Sequence, residues 1–416
     1  MAAGVRVVPI AALATFAVLA VGSRIARTRR SQHGATRIAP ADVTPASRPP
    51  SSLAAPEPRA PARVAEHAAR MLHGDPHHTH RATGRLPRAI HPAWTYAADG
   101  PVEAQVTSSA DEQTLYAASL GGSLTALERN GMKRWSVSLG GRAYATPCVA
   151  DDGTVYVGSD AGRFFAVTAD GRVRWTLETG SDADTGAVIA KDGSILFASG
   201  SRVFSVLQNG DIAWRFQAKQ KVFTAPAITD DERIIFGSQD GHVYALSSKG
   251  ELSWSTDLGR DADGAAAIGD DGAIFVGTDA GEVVRLDSTG SVVWRANVGG
   301  FVRGTLSLAR NGDVLAGVYG PSPREVRVTP DGEVRGSFPI AGTGARDFGV
   351  HGGALEDAEL TLVFGAQDDA VYAVDARGEL LWRWATGGDV DAPVTLLSDG
   401  TLVVPSDDAH IYALAP

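Results

Sequence analysis

At 416 residues the chain has room for two or three ordinary domains or for one large repeat domain. Its 48 glycines and 21% charged residues suit many short turns and disfavour long helices. Residues 1–90 hold 13 Arg against 4 acidic residues, leaving 25 basic against 44 acidic residues beyond them, a surplus that would repel phosphates and excludes a nucleic-acid-binding surface there.

The first predicted element is an apolar run over residues 7–22, VVPIAALATFAVLAVG, preceded by Arg6. It is shorter than the ~20 residues that span a bilayer comfortably. Ala20-Val21-Gly22 offers a small-x-small cleavage site, and Arg24, Arg27, Arg29 and Arg30 follow it. Residues 1–30 are therefore expected to be a signal peptide or a membrane anchor with a basic flank. Basic residues in that place resist export, so the two rules pull in opposite directions. Seven prolines lie between Pro40 and Pro61 among Ala, Ser and Arg, and residues 31–69 are expected to be a disordered linker.

Five of the ten histidines follow, His67, His73, His77, His78 and His80. Clustered imidazoles can hold zinc or copper, but only Glu66 and Asp75 accompany them. The segment is expected to be flexible and to hold no metal.

From residue 91 the chain is periodic. Its unit is DDGTVYVGSDAGRFFAVTADGRVRW, residues 151–175, in which Asp152-Gly153 and Ala161-Gly162 each introduce an apolar run of strand length and Asp170-Gly171 leads into a strand carrying Trp175. A Gly-x-x-x-Trp signature marks each copy, at Trp135, Trp175, Trp214, Trp254, Trp294 and Trp382, with Gly336 in place of a tryptophan after Gly332. Four short strands per 40 or so residues are the signature of a propeller blade. The chain stops at HIYALAP, a third strand, and the missing fourth stands at the start as HPAWTY around Trp94. The predicted fold is all-β: an eight-bladed β-propeller of four-stranded antiparallel blades over 70–416, closed by its N-terminal strand. Seven blades and an appendage are the alternative if the unit around Gly336 is not a blade. Cys148, the chain's single cysteine, falls in a strand pattern and is expected to be a small buried apolar residue.

These repeats, YVGSDAGRFFAVTADGRVRW and FGSQDGHVYALSSKGELSW, resemble those of pyrroloquinoline-quinone (PQQ)-type eight-bladed propellers. The lead-in MLHGDPHHTHR is similar to the segment that precedes their first blade. One branch of that family holds PQQ- and calcium-dependent dehydrogenases, whose sites include adjacent cysteines; one cysteine here gives nothing to carry across. The other branch is non-catalytic and resembles the propeller lipoprotein of the outer-membrane assembly machinery. No lipobox cysteine follows the apolar leader in this chain, so lipid anchoring is not available to it.

In a propeller, loops entering the innermost strands gather at the axis. The candidate ligand-binding loops carry Asp182 and Asp184, Asp261 and Asp263, Asp389 and Asp391, with Arg346-Asp347 in a fourth; Arg142, Lys219, Lys221 and Arg303 stand in other units. Such carboxylates could take calcium or a basic peptide, or could simply begin turns in water. No nucleophile elbow accompanies His242, His351 or His410, and no glycine-rich run opens a helix. The expected function is a non-catalytic, cofactor-free, monomeric scaffold of the periplasm or cell envelope. It would bind an envelope protein or peptide and meet the membrane only through its N-terminal segment. The alternatives are a PQQ-dependent oxidoreductase with an atypical site and a sensor of a small ligand or cation.

Overall fold

The structure, a computed structural model, describes residues 69–416 apart from 83 and 346–347. The expected leader and most of the expected linker, with His67 and Asp347, lie outside the described residues.

Each turn glycine takes the backbone angle that the hairpin needs, φ +79° at Gly153 and +84° at Gly171, so successive strands fold back antiparallel. The described residues form eight four-stranded sheets and one short 3-10 turn, Leu72–Gly74. In blade 2 the order from the axis outward is Cys148–Val149, Val155–Ser159, Arg163–Val167 and Val173–Glu178. Blades 1 to 7 cover 107–138, 148–178, 188–217, 227–257, 267–297, 307–339 and 355–385. Blade 8 is built from 395–415 and closed by His91–Ala97, which pairs antiparallel with His410–Ala415. The unit with Gly336 is a true blade, so the count among the described residues is eight.

Burial follows position. The second and third strands are apolar on both faces and buried, because each blade packs between two neighbours. The outermost strands alternate between half-buried and exposed. Rings interleave across blades: Phe164 of blade 2 stacks on Phe197 of blade 3 with 3.7 Å between ring centres. Cys148 is buried in blade 2, as its setting implied.

The tryptophans join each blade to the next. The indole of Trp94 lies over Gly131, where a Cβ would meet the ring at 2.6 Å, and its Nε1–H donates to the Arg129 carbonyl at 2.9 Å. Trp135, Trp175, Trp214 and Trp294 repeat both contacts on Gly171, Gly210, Gly250 and Gly332. A side chain at those glycines would displace the indole of the preceding blade, and this explains why the turn before each tryptophan strand keeps its glycine.

The lead-in departs from expectation. Residues 69–82 are ordered and wind around one end of the axis, where the free edges of the innermost strands would otherwise leave N–H groups unpaired. The carbonyls of Ala69, Arg70, Pro76, His77 and Thr79 accept from Ser108, Val149, Ile228, Ile268 and Leu308 at 2.7 to 2.9 Å, one in each of five blades. His73, His78 and His80 are buried within this plug. Burial was invisible in the sequence because backbone carbonyls make it.

Candidate functional site

The opposite end of the axis is lined by the loops that enter the innermost strands. One hydrogen bond fixes their register in all eight blades. The carbonyls of Pro101, Arg142, Asp182, Lys221, Asp261, Phe301, Gly349 and Asp389 accept from an N–H of the hairpin beyond, at 2.8 to 3.1 Å. The next residue is buried, and the one after it lies at the mouth: Glu103, Tyr144, Asp184, Phe223, Asp263, Arg303, His351 and Asp391. Close packing demands glycine on the strand behind; a Cβ on Gly158 would sit 2.0 Å from the Ala183 carbonyl oxygen.

This register brings Asp182, Asp184, Asp261, Asp263, Asp389 and Asp391 to one rim. It adds Glu103 and His351, which no Asp-x-Asp pattern marks. In blade 7 the equivalent pair is Gly349 and His351, and Asp347 falls outside the described residues.

Charge is unevenly balanced around the rim. Lys221 reaches Asp182 at 3.2 Å and Asp184 at 3.4 Å. Arg303 clasps Asp279 through Nε and Nη2, each at 2.8 Å, beside Asp261 and Asp263. Between blades 7 and 1 no such cation ion-pairs with the acids among the described residues. Asp389, Asp391 and Asp407 can bring one oxygen each within 4.8 Å of one another, and Glu103 adds its charge from blade 1.

Burial and this crowding raise the affinity of the group for protons. Glu103 is pushed up to about 7 by burial and then by Asp391. Burial, with Asp391 next, lifts Asp389 to about 7 and Asp407 to about 8. Asp391 is itself raised by burial, against the pull of His351 and a hydrogen bond from Gln367. One oxygen of Asp391 and one of Asp407 are buried without a hydrogen-bond partner. In blades 3 and 5, Asp184 and Asp263 reach only about 6, Lys221 and Arg303 respectively opposing the shift. The sector is crowded with carboxyl groups and unmet acceptors, able to give up protons as it takes a cationic group that brings its own donors.

The mouth does not fit PQQ, the cofactor that the fold suggests. A tricarboxylate would face four carboxyl groups that already crowd one another, while Lys221 and Arg303 are already paired. Cys148 lies buried in an innermost strand, its thiol pushed up to about 12 by burial, with no second cysteine to pair with.

A family described as outer membrane protein assembly factor BamB matches residues 88–189, 169–261 and 239–336. No curated protein matches the chain in sequence. Among solved structures, BamB from Moraxella catarrhalis is similar at 18% identity and TM-score 0.67, over 79% of this chain and 100% of that one. A europium-containing methanol dehydrogenase shares 10% identity at TM-score 0.67, over 84% and 98% of the two chains. The quinohemoprotein alcohol dehydrogenase of Comamonas testosteroni shares 13% at TM-score 0.70, over 85% and 81%. At these identities the structural likenesses establish the shared propeller and nothing finer. The family matches span more than half of the sequence, and the chain belongs to this family of PQQ-like repeat propellers typified by the assembly factor BamB.

Proposed function

We propose that the protein is a non-catalytic binding protein of a bacterial-type cell envelope, taking a Lys- or Arg-bearing segment of a partner protein at its axial mouth. The observation that carries this reading is the sector of Glu103, Asp389, Asp391 and Asp407, with buried oxygens on Asp391 and Asp407 that lack partners. An ammonium or guanidinium group would supply both the missing charge and the missing donors. The family, whose description is an outer-membrane assembly factor, supports an envelope setting and a protein partner.

The test is binding of a labelled Lys/Arg-rich peptide to the propeller by fluorescence anisotropy. Saturable binding that weakens with salt and is lost in Asp391→Asn/Asp407→Asn supports the reading. Binding unaffected by that double substitution overturns it. So does alcohol- or sugar-dependent dye reduction after addition of PQQ and calcium. The spacing of Asp389, Asp391 and Asp407 also favours a second occupant, a small hard cation. Calcium competing with the peptide would reveal it.

A further inference from the structure

Blade 6 is the one blade whose outer strand, Val334–Pro339, has glycine at the tryptophan position. Nothing lies within 4 Å of a Cβ built on Gly336, and nothing lies within 4 Å of one built on Gly378, the glycine opposite it in blade 7. At the six other turn glycines of this kind, Gly131 through Gly332, an indole ring meets that Cβ at 3.0 Å or less.

The floor of this notch is nevertheless fully formed. Gly378 holds φ +78°, and the N–H groups of Gly378 and Asp375 donate to Asp375 and Glu379, as Gly171 and Thr168 donate to Thr168 and Arg172 in blade 2. The carbonyl two residues before the glycine takes the indole N–H in five of the homologous turns. In blade 7 that carbonyl belongs to Ala376, and no indole faces it. The inner wall is Arg327, the cross-strand partner of Gly336, held by Glu356 of blade 7 at 2.7 Å. A guanidinium plane is a favourable neighbour for an aromatic ring.

We propose that the notch between blades 6 and 7 is a docking slot for a tryptophan side chain supplied by a partner protein, its indole stacking on Gly378 and donating to the Ala376 carbonyl. The chain cannot supply that indole itself. Seven of its eight tryptophans are fixed in blade-to-blade positions, Trp384 packs in the core between blades 7 and 8, and residues 1–68 contain none. The slot is separate from the axial mouth, and the two readings fail independently.

The probe is an N-terminally labelled seven-residue peptide with the sequence of residues 291–297 but with Gln in place of Arg295, so that it carries no cation for the axial mouth; it is centred on Trp294, whose indole fills the slot between blades 5 and 6. Wild-type protein is expected to bind it saturably. Gly336→Trp, which fills the slot from within, should weaken binding roughly tenfold or more and raise the melting temperature. Gly378→Asn blocks the slot from the other side and tests the same point should the first variant fold poorly, because Asn tolerates positive φ. A peptide with Ala in place of Trp should not bind, and Asp391→Asn/Asp407→Asn should leave peptide binding unchanged. No binding by the wild type overturns the proposal. Equal binding by either slot variant, or by the Ala peptide, also overturns it.

Discussion

The imidazole of His73 lies flat on that of His80, with 4.3 Å between ring centres and 8° between planes. His73 donates from Nδ1 to the His78 carbonyl at 3.1 Å, and its Nε2 lies 2.9 Å from the Thr305 hydroxyl, which can donate to the neutral ring. A charge on either ring would sit buried against its neighbour, in the plug that ties the innermost strands together.

Acid is therefore expected to loosen the plug first. Burial holds His73 well below the ordinary histidine range, with His80 next as a cause; burial also lowers His78, and takes His80 down to about 4. The unfolded rings titrate near ~6.5, so below that pH the unfolded chain binds more protons. Stability is complete above about 6.5 and falls as pH drops toward about 4. His78→Asn keeps a donor for the Ala266 carbonyl and tolerates the left-handed backbone, φ 57°, of that position. Its unfolding free energy should fall less steeply with acid, by up to about 1.4 kcal/mol per pH unit. Urea denaturation at pH 7 and pH 5 measures the difference.

The mouth imposes the opposite slope. Glu103, Asp389 and Asp407 are raised to about 7, 7 and 8, chiefly by burial, from unfolded values near ~4. Here the folded state binds more protons, so stability falls as pH climbs from about 4 through about 8. Asp407→Asn removes one of the repelling charges, and should raise the melting temperature at pH 8 by about 1–2 °C per kcal/mol relieved, with a smaller gain at pH 5. Thermal melts at the two pH values read this directly; an equal shift at both would show that the charge is not the cause.

How much of this was legible depended on whether a side chain or the backbone carried the information. Gly131 and Trp135 announce a blade because a β-turn and an indole each need a particular residue type. Asp182 and Asp391 were found at the mouth because acidic pairs recur at one offset. Glu103 follows Pro101-Val102 and lacks the second acid, and only the repeated carbonyl hydrogen bond of Pro101 reveals its place. The same bond puts His351, a residue noted only for lacking a nucleophile, beside Asp391. No residue pattern marks the plug, because its bonds come from carbonyls of residues as unlike as Ala69, Pro76 and His77.

The indole hydrogen bonds can be weighed within one molecule. Trp175 donates to the Gln208 carbonyl at 2.9 Å, whereas Nε1 of Trp254 is buried without a partner, Arg233 having taken the Ser288 carbonyl. Both rings cover a glycine, Gly210 and Gly290. Trp175→Phe loses packing and a hydrogen bond, while Trp254→Phe loses packing and relieves an unmet donor. The first should cost about 1 kcal/mol more than the second in urea denaturation. Equal costs would show that stacking alone joins the blades.

Where the indole is missing, an ion pair spans the gap. Arg327 of blade 6 bonds Glu356 of blade 7 at 2.7 Å and Asp313 of its own blade at 3.2 Å, with both acids almost wholly buried. Replacing the arginine by methionine would keep much of the apolar stem and strip two buried carboxylates of their cation. Among the described residues, Glu356 would retain only the N–H of Arg310, at 3.2 Å, for its other oxygen. Breaking a buried pair from one side costs about 3–5 kcal/mol. Arg327→Met should therefore destabilise by about that much in urea denaturation. Gly336→Trp added to it should recover part of the loss by restoring the interblade contact that the other blades use. Failure of the second substitution to help would mean that the gap is held by Phe338, stacked edge-on to Phe364 at 5.9 Å, and that the notch below it contributes nothing to closure.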